Sequence, residues 1–320
     1  MPTGERIDCR IPARLAGKRL DQALADLLPV YSRARLQQWI KSGQIQVDGR
    51  ARQPKERVFG GETISGTAQS AEAIVARAEA IPLRIHYEDA DILIVNKPPG
   101  LVVHPAVGNP DGTLVNALLH YAPELAMLPR AGIVHRLDKN TSGLLVVARS
   151  LKAHVALIEQ LQTRTMGREY LTIVNGLMTA GGTVDAHIAR HPVDRKRMAV
   201  SSSGKPAVTH YRVAQRYRAH TLLRVKLETG RTHQIRVHMA YIRFPIVGDP
   251  VYGGRLRLPL AASADCRERL RGFRRQALHA VCLRLKHPAS GETLSWDAEL
   301  PTDMADLVNT LSEDAESLND

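Results

Sequence analysis

Apolar residues recur at helical spacing near the start of the chain. In "GKRLDQALADLLP" Leu20, Leu24 and the pair Leu27-Leu28 share one face, and Pro29 stops the run. "SRARLQQWIKSGQI" predicts a second helix, with Ser32 placed to cap it, Leu36, Trp39 and Ile40 as its apolar face, and Gly43 as its end. The period then changes. Ile45 and Val47 alternate with polar residues, and Asp48-Gly49 is a hairpin turn signal. Two short helices and a small β-ribbon are thus expected before residue 65.

Residues 66–82 are Ala-rich and only weakly amphipathic, and read as a linker, partly helical. Beyond them Ile92-Leu93-Ile94-Val95 predicts a strand, stopped by Pro98-Pro99-Gly100. The run Leu144-Leu145-Val146-Val147-Ala148 has no polar alternation, so it predicts a strand buried on both faces. "SLKAHVALIEQLQ" is an amphipathic helix with Ser150 as its cap. "EYLTIVNGL", "AVTHYRVAQRY" and "HTLLRVKLETG" are strand-like, and "HQIRVHMAYI" is helical again. Helices and strands are interspersed without a regular βαβ repeat. The expected class is therefore α+β, with a mixed, largely antiparallel sheet flanked by helices. The expected domains are 1–65, a linker at 66–82, a larger domain at 83–301, and an acidic tail at 302–320 that frays. The small N-terminal domain is expected to be mobile on its linker.

Charge sharpens the picture. The 320 residues carry a net charge of +12, unevenly spread. Residues 302–320 hold six acids and no Lys or Arg; without them the chain carries 44 cations against 26 acids. Such an excess suits a polyanionic partner, most often nucleic acid. No apolar run approaches the roughly 18 residues of a membrane span, and "MPTGERIDCR" has no apolar signal region. Cys9, Cys266 and Cys282 are odd in number and widely spaced, which suits reduced thiols in a cytoplasmic protein rather than disulfides or a zinc site.

Familiar catalytic signatures are missing. There is no Gly-x-Gly-x-x-Gly, phosphate-loop lysine motif or Gly-x-Ser-x-Gly elbow, and His233 and His238 have the wrong spacing to share a metal on one helical face. What remains is a set of polar, turn-rich stretches abutting strand or helix ends, where sites are usually built. "HRLDKNTSGLLVVAR", "TGRTHQIRVHM", "NKPPGLVVHP", "GDPVYGG" and "LHAVCLRLKHP" together resemble the RluA-type family of pseudouridine synthases, over nearly the whole larger domain. "TAGGTVDAHIARHP" and "MAVSSSGKPAVTHYRV" bring the likeness nearest to its D-type branch. The N-terminal segment resembles the small RNA-binding domain named after a small-subunit ribosomal protein (S-four-like).

The resemblance implies isomerisation of uridine to pseudouridine without a cofactor or metal. It implies a monomer acting on bacterial 23S large-subunit ribosomal RNA, in the stem-loop called helix 69. The alternatives are the same chemistry on another ribosomal or transfer RNA site, and a non-catalytic RNA-binding ribosome-assembly factor, against which an intact Asp138, Tyr170 and Arg231 argue. It makes Asp138 the catalytic carboxylate, whether that group attacks the sugar or the base or removes a ribose proton. Burial beside Leu144-Leu145 disfavours an ionised carboxylate and a nearby arginine favours it; by resemblance that partner is Arg231. Tyr170 takes the place of the catalytic tyrosine, which stacks on uracil and moves the C5 proton. Arg168 stands where the family often has Lys, so a specific role there is open. Arg136 fits the side chain that fills the space left by the extruded base. Arg33, Arg35, Lys41, Arg50 and Arg52 in the small domain, and Arg190, Arg195, Lys196 and Arg197 in the larger one, are candidate RNA contacts, as are Arg255, Arg257, Arg267, Arg269, Arg271, Arg274 and Arg275. Pro98-Pro99-Gly100 and Gly248-Asp249-Pro250 are expected to be turn architecture only.

Overall fold

The computed structural model describes residues 5–28, 31, 33–68, 76–106 and 108–317. Pro29 and Ser32, the expected stop and cap around the second helix, lie outside them, as does the side chain of Arg35. The chain divides into two compact units, residues 1–75 and 76–320.

In the first unit β1 (Glu5–Arg10), β2 (Ile45–Val47) and β3 (Thr63–Ala68) form an antiparallel sheet in the order β1-β3-β2. Helices α1 (Leu20–Leu27) and α2 (Arg33–Lys41) pack Leu20, Leu24, Leu36, Trp39 and Ile40 against Ile45, Val47 and Ile64. The turn at Asp48-Gly49 forms, both residues left-handed at φ 49° and 71°, which an L residue other than Asn or Asp seldom tolerates. It closes only a single bridge, Val47 to Arg50; the strand partner of β2 is β3. Asp21 is fully buried at the start of α1. Burial alone would raise its carboxyl, but donors from Gln37, Arg33 and Arg19 hold it down at about 2.

The second unit is built on a nine-stranded sheet. Its strands are β4 (Ile85–Glu88), β5 (Ile92–Lys97), β6 (Ser142–Ala148), β7 (Gly167–Asn175), β8 (Gly182–Asp185), β11 (Val208–Arg216), β12 (His220–Leu227), β13 (Leu278–Lys286) and β14 (Thr293–Asp297). They run β4-β5-β6-β13-β7-β12-β11-β8, with β14 on β13; only β6 and β13 pair in parallel. Strands β9 (Ile188–Arg190) and β10 (Met198–Val200) make a separate antiparallel pair. Helices α3 (Leu114–Tyr121), α4 (Leu151–Gln162), α5 (Gln234–Tyr241), α6 (Ala264–Gly272) and α7 (Thr302–Glu316) complete it. The α+β class and the mostly antiparallel sheet are as the sequence led one to expect.

Strand β6 shows why the apolar run had no alternation. Leu145 and Val147 join the core that holds Leu93, Val95 and α3, while Leu144 and Val146 face a second core with Ile92, Ile94 and Leu157 of α4. Ser150 caps α4, its hydroxyl accepting from Ala153 N–H at 3.1 Å.

Two expectations need correction. Residues 66–68 belong to β3, and 76–82 form neither helix nor strand, with Ile81 N–H turned back onto the Glu79 carbonyl. There Asn116 donates to the Arg77 carbonyl and Glu79 accepts from Gly112 N–H, so this stretch belongs to the second unit. The acidic tail does not fray between 302 and 316. Helix α7 buries Met304, Leu307 and Leu311, and its acids meet arginines of the same unit: Asp303 with Arg275, Asp306 with Arg269, Asp314 with Arg218. Arg269 and Arg275 are thereby tied to carboxylates rather than free for phosphate. Among the described residues no helix is long and apolar enough to cross a membrane.

Candidate active site

The loop entering β6 is shaped by backbone that few residues accept. Arg130, Ala131 and Gly132 are all left-handed, and a Cβ on Gly132 would stand 2.0 Å from the Ala148 carbonyl oxygen. Only glycine fits there. The chain then runs along β6 through Ile133, buries Leu137, and closes a turn in which Thr141 N–H donates to the Asp138 carbonyl. Asp138 is left at the wall of a cleft of about 1080 Å³, shared with Tyr170, Arg136 and Arg231. That is at the upper end of small-molecule pockets.

The partner of Asp138 is Arg236, not Arg231. Arg236 Nη1 donates to Asp138 Oδ2 at 3.0 Å. Its Nε and Nη2 form a fork on Asp249, at 2.7 and 2.9 Å. Arg231 lines the cleft but its Nε donates to the Pro206 carbonyl. The cause is where α5 begins. His233 is left-handed and the helix starts at Gln234, so Arg231 stays on the preceding loop while Arg236 enters the buried first turn. Gln234 fixes that start: its side-chain Oε1 accepts from Arg231 N–H and the Thr229 hydroxyl, and its Nε2 donates to the Val208 carbonyl and the Thr209 hydroxyl. Asp249 is buried, which raises its carboxyl, but Arg236 and the N–H groups of Val251 and Tyr252 reverse this and hold it below the usual carboxylate range. The turn Gly248-Asp249-Pro250 therefore does more than turn the chain: Asp249 orients the arginine that orients Asp138.

His233 stands beside this triad. Its Nε2 lies 3.9 Å from Asp138 Oδ1, and its Nδ1 shares a 2.9 Å hydrogen bond with the Tyr252 hydroxyl, which also accepts from Met198 N–H. Burial pushes the His233 imidazole down, against the pull of Asp138. Tyr170 is 6% exposed on β7, and burial pushes its phenol up, so it is neutral at physiological pH. Arg136 is exposed at the rim.

Lys97, the last residue of β5 before the Pro98-Pro99-Gly100 turn, is completely buried. Its Nζ donates to the carbonyls of Pro98, Leu101 and Lys139, at 2.8, 3.0 and 3.0 Å. It thus clamps the Asp138 loop to the strand beside it, although burial pushes its ammonium down to about 7. Replacing Lys97 by Met leaves three carbonyls without their donor and should lower the unfolding free energy in urea titrations by about 3 kcal/mol. A loss under about 1 kcal/mol would contradict this clamp.

Of the candidate RNA contacts, Arg33 is held by Asp21 and Arg52 pairs with Glu56, while Lys41 and Arg50 are exposed. Arg190, Arg195 and Lys196 are exposed on and between β9 and β10; Arg197 lies over the Tyr252 ring at 5.4 Å. One group among the described residues, Asp89, Asp91 and His287, has ligand atoms close enough for a cation. Asp89 already accepts from Tyr87, His287 and two backbone N–H groups, which makes it a turn clasp outside the cleft.

Comparison with known proteins agrees with this geometry. Residues 91–241, which include Asp138, Tyr170, Arg231 and Arg236, match the RNA pseudouridylate synthase family, and residues 18–64 match the S4 domain. The chain is 56% identical over 305 residues to ribosomal large subunit pseudouridine synthase D of Yersinia pestis, covering 95% of this chain and 94% of that one. The corresponding protein of Escherichia coli K12 is 55% identical over the same span. Among solved structures, human RNA pseudouridylate synthase domain containing 4 superposes with a TM-score of 0.56 at 28% identity, covering 71% of this chain and 92% of that one. A buried-arginine-held carboxylate facing a cleft with a buried tyrosine, in a chain so similar to these relatives, places the protein in the RNA pseudouridylate synthase family, with an S4 domain at its N-terminal end.

Proposed function

We propose that this enzyme converts uridine to pseudouridine in bacterial 23S large-subunit ribosomal RNA, within the helix 69 stem-loop, as a cytoplasmic monomer that needs no cofactor. The observation that carries the chemistry is Asp138 pinned by Arg236 and Asp249 in the cleft that holds Tyr170. The names and near-complete overlap of the relatives support the large-subunit target. In this reading the N1–C1′ bond of an extruded uridine breaks at Asp138, the base turns in the cleft, and C5 rejoins C1′. Tyr170 stacks on the base and serves the C5 proton. Arg231 acts from the cleft wall on the substrate rather than through Asp138.

Mapping of pseudouridine by carbodiimide-dependent reverse-transcription stops, on unmodified large-subunit RNA, tests the target. New stops are expected in helix 69. Stops confined to other sites, or to transfer RNA, would move the same chemistry to a different RNA. Arg136, exposed at the rim, fits the side chain that takes the place of the extruded base. Arg136→Ala should therefore impair reaction on folded RNA more than on an unstructured oligonucleotide. Equal losses on both would remove Arg136 from base extrusion.

A further inference from the structure

Among the described residues, the cleft holds one buried cation that no carboxylate balances. Six arginines line it (Arg130, Arg136, Arg164, Arg168, Arg231 and Arg236) against two carboxylates, Asp138 and Glu228. Both acids are engaged: Asp138 with Arg236, Glu228 with Arg164 and His210. Arg168 is different from the other five. It is 7% exposed, its buried Nε has no hydrogen-bond partner, and among the described residues no carboxylate pairs with it. Its chain neighbour Glu169 bonds to Arg224 instead. His135 lends no compensation, since its Nε2 accepts from Val146 N–H and burial, with Arg168 second, pushes its imidazole down to about 3.

A buried, unpaired guanidinium is costly to keep, and a fold keeps one where a ligand completes it. The wall opposite is cut to fit: a Cβ on Gly230 would come within 2.8 Å of Arg168 Nη1. Arg168 and Tyr170 lie on the same face of β7, two residues or about 7 Å apart along the strand. A base stacked on Tyr170 is within the span of the guanidinium. The phosphates stay with the chain at the mouth of the cleft, where Arg136 is exposed, whereas the base alone goes deep.

We propose that Arg168 binds the uracil ring through a carbonyl oxygen and stabilises the negative charge that the base carries between its two glycosidic bonds. This rests on the pseudouridine reading above. When N1–C1′ breaks, the bonding electron pair stays on the base, spread over N1, O2 and O4. It is used when C5 bonds to C1′; C5 then gives up its proton and N1 takes one, so the product is an isomer. A fixed cation with no internal carboxylate is strongest when that charge appears, which is what lowers a barrier rather than merely tightening binding. It also holds the detached base in the cleft while it turns.

The test compares native enzyme, Asp138→Asn, Arg168→Met, Arg168→Lys and Arg168→Ala on one helix 69 transcript. Affinity is read by filter binding and chemistry by single-turnover tritium release from uridine-5-³H at saturating enzyme. Arg168→Met is expected to slow the chemical step by about 10²- to 10³-fold with affinity within about twofold of native. Arg168→Lys should keep most of the rate, and guanidinium ion should restore part of the rate of Arg168→Ala. An unchanged single-turnover rate would overturn the proposal. So would weakened binding with full rate at saturation and a salt slope reduced by about 1, the signature of a phosphate contact. Should Arg168→Met not fold, a folded Arg168→Lys variant with less than about one-thousandth of native rate would equally overturn a charge-based role. Native enzyme inactive on this transcript and on whole unmodified large-subunit RNA would instead contradict the pseudouridine reading itself.

Discussion

Asp138→Asn should abolish pseudouridine formation, by about 10⁴-fold or more, while binding the same RNA with native affinity. Asparagine is nearly isosteric with aspartate, so the turn closed by Thr141 N–H on the residue 138 carbonyl survives. Arg236 keeps its fork on Asp249, and the amide oxygen can still accept from Nη1. What disappears is the negative charge and with it any capacity to attack or to take a proton. The cations around the cleft remain, so affinity should hold or rise slightly. Retention of more than about one-hundredth of native rate would remove Asp138 from the chemistry.

Arg236→Met should be nearly as damaging to activity and should also weaken the fold. Methionine fills much of the volume but leaves Asp249 buried without its fork and Asp138 without its donor. Removing one member of a buried pair costs about 3 to 5 kcal/mol, since the remaining charge is stranded. Asp249 has a depressed carboxyl in the native protein. Its contribution to stability is therefore present above the unfolded value and lost as pH falls through the folded one. The deficit of Arg236→Met should be largest near neutrality and shrink below about pH 4, measured by denaturant titration across pH. A deficit that stays constant down to that range would contradict the ionic account. Arg231→Met, with its side chain on the Pro206 carbonyl and no buried carboxylate to strand, should leave stability close to native.

The sequence made the reaction centre legible through short, contiguous signals. Asp138 and Arg136 share a rim loop before an apolar strand, and Tyr170 sits in a strand with its own period. The choice between Arg231 and Arg236 was not legible in the same way. They are five residues apart in one motif, and the outcome depends on His233 adopting a left-handed backbone so that the helix starts one residue later. Only the structure shows that α5 is buried continuously from Gln234 to Met239, where a charge usually has a partner. That partner, Asp249, is distant from Asp138 in sequence, and the pairing is created only by the fold. The acidic C-terminal segment misled in the opposite direction. Met304, Leu307 and Leu311 have helical spacing, but a terminal segment with six acids and no cation was expected to fray; Arg218, Arg269 and Arg275 pair with its acids from elsewhere in the second unit.

Tritium release from uridine-5-³H-labelled large-subunit RNA, with native protein and Asp138→Asn side by side, tests the central claim most directly. C5 must lose its hydrogen when it becomes the glycosidic carbon, so release reports the isomerisation itself. The expected result is release by the native protein and none by Asp138→Asn, with both bound to the RNA. Binding by both without release by either, or equal release by the two, would contradict a pseudouridine synthase centred on Asp138.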